Sequence, residues 1–217
     1  MTDDMLNEIM MINGMSDIMS ISRLRMGTDG DGVTTLVGFW GCPLKCAYCI
    51  NEQCHRIGEE RASFTPEELI EVLRKDEIYY LMSGGGVTFG GGEPLLQADF
   101  IHKVCALANP NWKMRIETSL NVEWEKISLL LEDIDEWIID IKDWDYRTYR
   151  KYTKVPISQM KENLKKLFIE ISKEKIHIRM PIIPEYNTEE SVNQAAELIK
   201  RDYGIDPEVF EYICFKR

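Results

Sequence analysis

From Val33 to Phe215, short β-branched and aromatic runs alternate with longer stretches of helical periodicity. This alternation most limits the folds open to the chain. The strand-like runs cover 33–40, 86–90 (GVTFG), 113–118 (KMRIET), 136–141 (EWIIDI), 176–183 (IHIRMPII) and 209–215. Between them lie helical patterns over 65–81, 96–108, 122–132 and 158–172, and a last one from Asn187 to Arg201. Two helix starts are explicit. Thr65-Pro66-Glu67-Glu68 reads as a capping box with proline in the first turn, and Asn187 reads as a cap with Glu190 three residues on. A helix between two strands carries the chain back across the sheet, so the six strands should pair in parallel.

Length narrows the architecture further. A complete eight-stranded barrel takes about 250 residues, and this chain has 217. The expectation is an α/β fold, an incomplete (β/α)6 TIM-like barrel, with its active site at the C-terminal strand ends. No repeat or linker interrupts residues 23–217, which read as one domain. Residues 1–22 read as a Met-rich N-terminal arm, because seven of the eleven methionines fall in the first 26 positions. A hydrophobic content of 44% excludes a disordered chain, and a net charge of −11 argues against a general nucleic-acid binder. No apolar run approaches the roughly 20 residues of a membrane helix. Asp3, Asp4 and Glu8 precede the first basic residue, Arg23, unlike a signal peptide, so a cytoplasmic location is expected.

Of six cysteines, four fall within thirteen residues, in GCPLKCAYCINEQC. In a reducing compartment such a cluster reads as a metal site. Cys42-x3-Cys46-x2-Cys49 puts three thiols in eight residues, enough to hold three corners of a 4Fe-4S cluster and leave one iron open to a ligand. The competing reading is a structural zinc knot completed by Cys54 or His55, although no second short Cys-x2-Cys element is present. Cys105 and Cys214 read as buried small hydrophobes. A second feature stands at the end of the 86–90 strand, where Gly90-Gly91-Gly92-Glu93-Pro94 offers backbone for close approach and a carboxylate for a protonated amine.

These motifs together resemble the radical S-adenosylmethionine enzymes, and among them the glycyl-radical-enzyme activases such as pyruvate formate-lyase activating enzymes. The resemblance runs from about Asp29 to Asn187. It rests on Asp29-Gly30-x-Gly32, the three cysteines with Tyr48 before the third, Cys49-x-Asn51, SGGGVTFGGGEPLLQ at 83–97, Glu117-Thr118-Ser119, Asp140-Ile141-Lys142 and Arg179-x-Pro181-x-x-Pro184.

The resemblance implies a 4Fe-4S cluster on Cys42, Cys46 and Cys49, with S-adenosylmethionine on its open iron. Tyr48 would lie near the adenine. Gly91, Gly92 and Glu93, in the turn closed by Pro94, would receive the methionine amine. Lys142 would face the carboxylate, and Arg179 the carboxylate or ribose. Glu117, Thr118, Ser119 and Asp140 would lie beside the cofactor and, as in some relatives, a monovalent cation. No side chain would act as acid or base. Reductive cleavage would give a 5′-deoxyadenosyl radical, which takes hydrogen from a target, in an activase a backbone glycine of a glycyl radical enzyme. The electron would come from a flavodoxin- or ferredoxin-type donor under anaerobic conditions. Such donors are acidic, so Lys45, Arg56 and Arg61 are candidates for a local basic patch.

The chain departs from the activase pattern at Asp31, Thr34, Ile50, Leu120 and Glu185, the last two at positions where glycine is expected. His177 reads as a core or lining residue. Two further readings are a radical enzyme that modifies a peptide or small molecule, and a zinc-binding module on Cys42, Cys46, Cys49 and Cys54.

Overall fold

The computed structural model describes residues 14–56 and 61–213. They form two compact units. One comprises residues up to Cys42, Asn51–Glu117 and Glu123–Glu136, and the other Pro43–Ile50, Thr118–Val122 and residues from Trp137 on.

In the first unit β1 (Ser16–Met26), β2 (Val33–Phe39), β3 (Ala62–Phe64), β4 (Gly86–Gly91) and β5 (Lys113–Thr118) lie in the order β3-β1-β2-β4-β5. β2, β4 and β5 are parallel, with Thr34 opposite Gly86 and Gly86 opposite Lys113. Gly85 and Gly86 are required by this pairing. A Cβ on Gly85 would stand 2.0 Å from the Val33 carbonyl oxygen, and one on Gly86 2.2 Å from that of Lys113. β1 adds to β2 antiparallel, and β3 to β1 likewise.

Ser16–Ser22, assigned to the Met-rich arm, belong to β1, and the expected boundary at 22/23 falls inside that strand. Ser16 and Ile18 are buried in alternation while Met19 is not, a half-buried pattern that unbranched methionine and serine disguise. Residues 1–13 of that arm lie outside the described residues. The sheet strands therefore number eight among the described residues, not six, the additional pair being the antiparallel β1 and β3.

The helical pattern over 65–81 is two helices, α1 (Pro66–Leu73) and α2 (Glu77–Ser83), joined by a 3-10 turn at Arg74–Asp76. The capping box forms as expected and stabilises α1 by about 1 kcal/mol. The break places Asp76, 1% exposed, where both its oxygens accept from Arg23 at 2.6 Å. α3 (Ala98–Leu107) packs Phe100, whose ring centroid lies 6.2 Å from that of Phe39. α4 is only Trp124–Ser128, shorter than the pattern over 122–132.

In the second unit β6 (Glu136–Asp140), β7 (Ile176–Ile182) and β8 (Glu208–Glu211) are parallel. The helices are α5 (Tyr146–Thr153), α6 (Ser158–Glu170) and α7 (Glu189–Tyr203). The cap of α7 is Thr188, in a capping box with Ser191, not Asn187. Asn187 instead donates to Asp143 at 3.0 Å and its side-chain oxygen accepts the Ile183 amide at 2.6 Å, holding the turn after β7. α5 was not expected, since YRTYRKYT contains no aliphatic residue; its local signal is Asp145, whose carboxylate accepts the Arg147 and Thr148 amides. β8 ends at Glu211, and Cys214 lies outside the described residues. No helix among the described residues is long and apolar enough to cross a membrane.

Candidate active site

In the first unit the glycine turn after β4 is built from backbone against backbone. The Gly92 amide donates to the Phe39 carbonyl at 2.9 Å and the Glu93 amide to the Gly41 carbonyl at 2.7 Å. The Asn51 side-chain amide donates to the Gly91 carbonyl at 2.8 Å. Gly91 has φ +91°, a left-handed conformation that only glycine takes readily, and a Cβ on Gly92 would lie 2.1 Å from the Gly41 oxygen. The result is a fixed concave edge with exposed main chain. Glu93, 1% exposed, accepts the Leu95 amide at 3.3 Å and starts the 3-10 turn Pro94–Gln97. A buried carboxylate at a strand end suits a protonated amine. Glu117 stands beside this edge, since a Cβ on Gly90 would be 3.2 Å from its carboxylate. Cys42 precedes this unit's next segment and is half-buried.

The second unit holds Cys46, Cys49 and Tyr48. The Lys45 amide donates to the Thr153 carbonyl at 2.8 Å and that of Ala47 to the Tyr152 carbonyl at 3.1 Å, so the loop is seated on the end of α5. Tyr48 is held three ways. Its hydroxyl donates to Glu185 at 2.9 Å, its carbonyl accepts from the Tyr212 hydroxyl at 2.6 Å, and its ring lies 5.7 Å from that of Tyr186. Burial pushes the Cys46 thiol up to about 11, with Lys142 partly opposing it. A thiolate there calls for a nearby cation, and iron is one. Three soft sulfur donors in eight residues suit an iron–sulfur cluster, and in the first unit a glycine edge that excludes side chains suits an amino-acid ligand.

Asp140 ties the cations together. It accepts from Lys142 Nζ at 2.9 Å and from Arg179 Nε at 2.9 Å, with the three side chains 24%, 18% and 19% exposed. Burial alone would raise Asp140, but Lys142 and then Arg179 outweigh it and hold the carboxylate below its ordinary 3.8. Burial likewise opposes the charge on Lys142, and Asp140 more than restores it, so its pKa is raised. The depressed Asp140 stabilises the fold above the ordinary carboxylate range and ceases to as pH falls through its folded value. The raised Lys142 stabilises below its ordinary 10.5 and ceases to as pH rises through its folded value. The stability difference between wild type and Asp140→Asn should thus be flat from about pH 5 to 10 and shrink below pH 4 in denaturant titrations. A difference that instead grows on acidification would refute this pairing.

Thr118 and Ser119 serve their own loop. The Thr118 hydroxyl accepts the Leu120 amide at 2.9 Å and the Ser119 hydroxyl that of Asn121 at 3.5 Å. Leu120 (φ +56°) and Glu185 (φ +67°) explain why glycine is expected there: both turns are left-handed. Asn163 holds the first by donating to the Leu120 and Val122 carbonyls. His177, read as core or lining, is instead 44% exposed and bonds Glu208 on the neighbouring strand at 2.8 Å. Cys105 is half-buried, and burial raises its thiol. Sequence reasoning missed Tyr212, whose only local sign is an aromatic after a short terminal strand. No three His, Cys, Asp or Glu side chains form a ready metal-binding group among the described residues.

Comparison with known proteins matches residues 38–199 to the family described as Radical SAM superfamily. The (2S)-3-sulfopropanediol dehydratase activating enzyme of Klebsiella oxytoca is 38% identical over 157 residues, 71% of this chain and 49% of that protein. The pyruvate formate-lyase-activating enzyme of Clostridium pasteurianum is 32% identical over 196 residues, 88% of this chain and 79% of that one. The chain thus spans about half the length of the first relative and most of the second. The crystal structure of QueE from Escherichia coli shares the fold at a TM-score of 0.52 and 15% identity, covering 97% of this chain and 98% of QueE.

Proposed function

The chain belongs to the radical SAM superfamily, and we propose that it is the activase of a glycyl radical enzyme. The single observation that carries the reading is the backbone-built glycine edge at Gly91–Gly92 with its buried Glu93, in the same chain as the three-cysteine loop and in activase order. Relatives named as activating enzymes support it.

When bound, the 4Fe-4S cluster and S-adenosylmethionine would supply a 5′-deoxyadenosyl radical that removes a glycine α-hydrogen from the partner protein. The chain's own part is holding and excluding. Cys42, Cys46 and Cys49 would hold iron, and Glu93 would accept the methionine ammonium. Asp140 keeps Lys142 and Arg179 charged and in place for a carboxylate. Tyr48, fixed at its hydroxyl and its carbonyl, would offer a rigid face to the adenine. Glu117 adds a carboxylate suited to a monovalent cation. The donor would be a flavodoxin- or ferredoxin-type protein, and the setting an anaerobic cytoplasm. The zinc-module reading gives way to the family.

The test is anaerobic incubation of reconstituted protein with reductant, S-adenosylmethionine and a candidate glycyl radical enzyme. A stable glycyl doublet in electron paramagnetic resonance is expected. Release of 5′-deoxyadenosine with no doublet from any candidate would move the reading to a peptide or small-molecule substrate.

A further inference from the structure

α5 concentrates positive charge on an acidic protein. Arg147, Arg150, Lys151 and Lys154 are all exposed, and so is Lys45 in the cysteine loop, whereas the chain's net charge is −11. None of the five joins a salt bridge among the described residues. Lys154 donates to the Lys151 carbonyl at 2.8 Å, Arg150 reaches the Tyr146 hydroxyl at 3.4 Å, and Lys151 lies 5.0 Å from the centre of the Tyr186 ring. Asp145 caps the helix, bonding main-chain amides but no patch side chain while feeling the charge of Arg147, and Glu185 bonds the Tyr48 hydroxyl. The helix dipole rationalises cations in the last turn, but it disfavours Arg147 in the first turn and has no bearing on Lys45. By contrast Arg61, a candidate from sequence, is bound to Asp17 and lies 5.0 Å from the centre of the Trp40 ring.

This basic face is joined to the metal-binding loop. The two backbone bonds from Lys45 and Ala47 to the last turn of α5 flank Cys46 on either side. Tyr152, buried on the same turn, has its ring 6.3 Å from that of Tyr48, which stands next to Cys49. A partner seated on α5 is thus a short run of covalent and hydrogen bonds from a sulfur ligand.

We propose that the exposed face of α5, with Lys45, docks an acidic one-electron carrier protein. The proposal rests on the iron–sulfur reading above. Charge complementarity selects the occupant: on a chain of net charge −11 this patch, with no salt bridge of its own among the described residues, attracts an acidic protein and leads to the thiols. The transfer balances simply. An anionic flavin hydroquinone loses one electron and becomes the neutral semiquinone, and the iron–sulfur group gains that electron.

The experiment uses the reconstituted holoprotein and a purified flavodoxin. The Arg147→Glu/Arg150→Glu variant should weaken binding of oxidised flavodoxin about tenfold at low salt and flatten its ionic-strength dependence. Reduction by flavodoxin hydroquinone should slow by about the same factor, while dithionite reduces the variant at the wild-type rate. Arg147→Lys/Arg150→Lys should behave as wild type, and matching melting temperatures check the fold. Unchanged flavodoxin affinity, equal slowing with dithionite, or a loss confined to glycyl-radical-enzyme binding would each overturn the docking assignment. A wild-type protein that holds no cluster would instead defeat the functional reading, and the flavodoxin titration distinguishes the two failures because it requires no radical chemistry.

Discussion

Cys46→Ala, purified and reconstituted without oxygen, should lose its iron–sulfur chromophore, and its dithionite-driven cleavage of S-adenosylmethionine should fall on the order of a thousandfold or more, because the group that carries the chemistry is gone. Cys54→Ala is the matched control. Cys54 is 3% exposed, and its carbonyl accepts the Gly41 amide at 2.9 Å, a main-chain bond that alanine preserves. Losing the sulfur should cost about 1–2 kcal/mol of packing and leave iron content and cleavage intact. The pair separates two metal sites that share three of their ligands. A four-cysteine zinc knot would lose its metal in either variant. Iron and sulfide retained by Cys46→Ala at wild-type stoichiometry would sink the three-thiol assignment.

Gly92→Ala should destabilise the protein by about 3 kcal/mol or more, read as a lower denaturant midpoint. Its Cβ would meet the Gly41 carbonyl oxygen at 2.1 Å and that of Phe39 at 2.9 Å. Those carbonyls accept the Glu93 and Gly92 amides, so moving them aside breaks the bonds that define the turn. Gly27→Ala calibrates the effect. Gly27, unlike Gly92, has a positive φ (+69°) but nothing within 4 Å of a Cβ, so its cost should stay near the roughly 1 kcal/mol of an unfavourable backbone conformation. Equal losses in the two variants would mean that the close approach at Gly41 costs no more than an open left-handed position, and would refute the steric requirement at Gly92. Non-reactive S-adenosylhomocysteine provides a second reading, since the damaged edge should bind it at least about tenfold more weakly.

The parallel strands were legible because their signals are local. The run 113–118 is β5 to the residue, and the start of β4 at Gly86 follows from its glycine and β-branched pattern. β1 was hidden because a half-buried strand, SDIMSISRLRM, carries serine, arginine and methionine where β-branched residues would mark it. α5 was hidden because eight residues of tyrosine, arginine and lysine bury only Tyr149, Tyr152 and Thr153. The departures at Leu120 and Glu185 show a subtler limit. The expectation of glycine stated the backbone conformation correctly, and the chain keeps that conformation with other residues by bonding to them.

The sequence alone determined the α/β class, the three-cysteine spacing and the glycine edge, because each depends on periodicity or covalent distance within about a dozen residues. Only the tertiary structure decided how the site is held. Asp140 meets Arg179 across 39 positions, and Tyr212 reaches the Tyr48 carbonyl across 164. Such pairings depend on where strands carry distant side chains, and no local pattern encodes them.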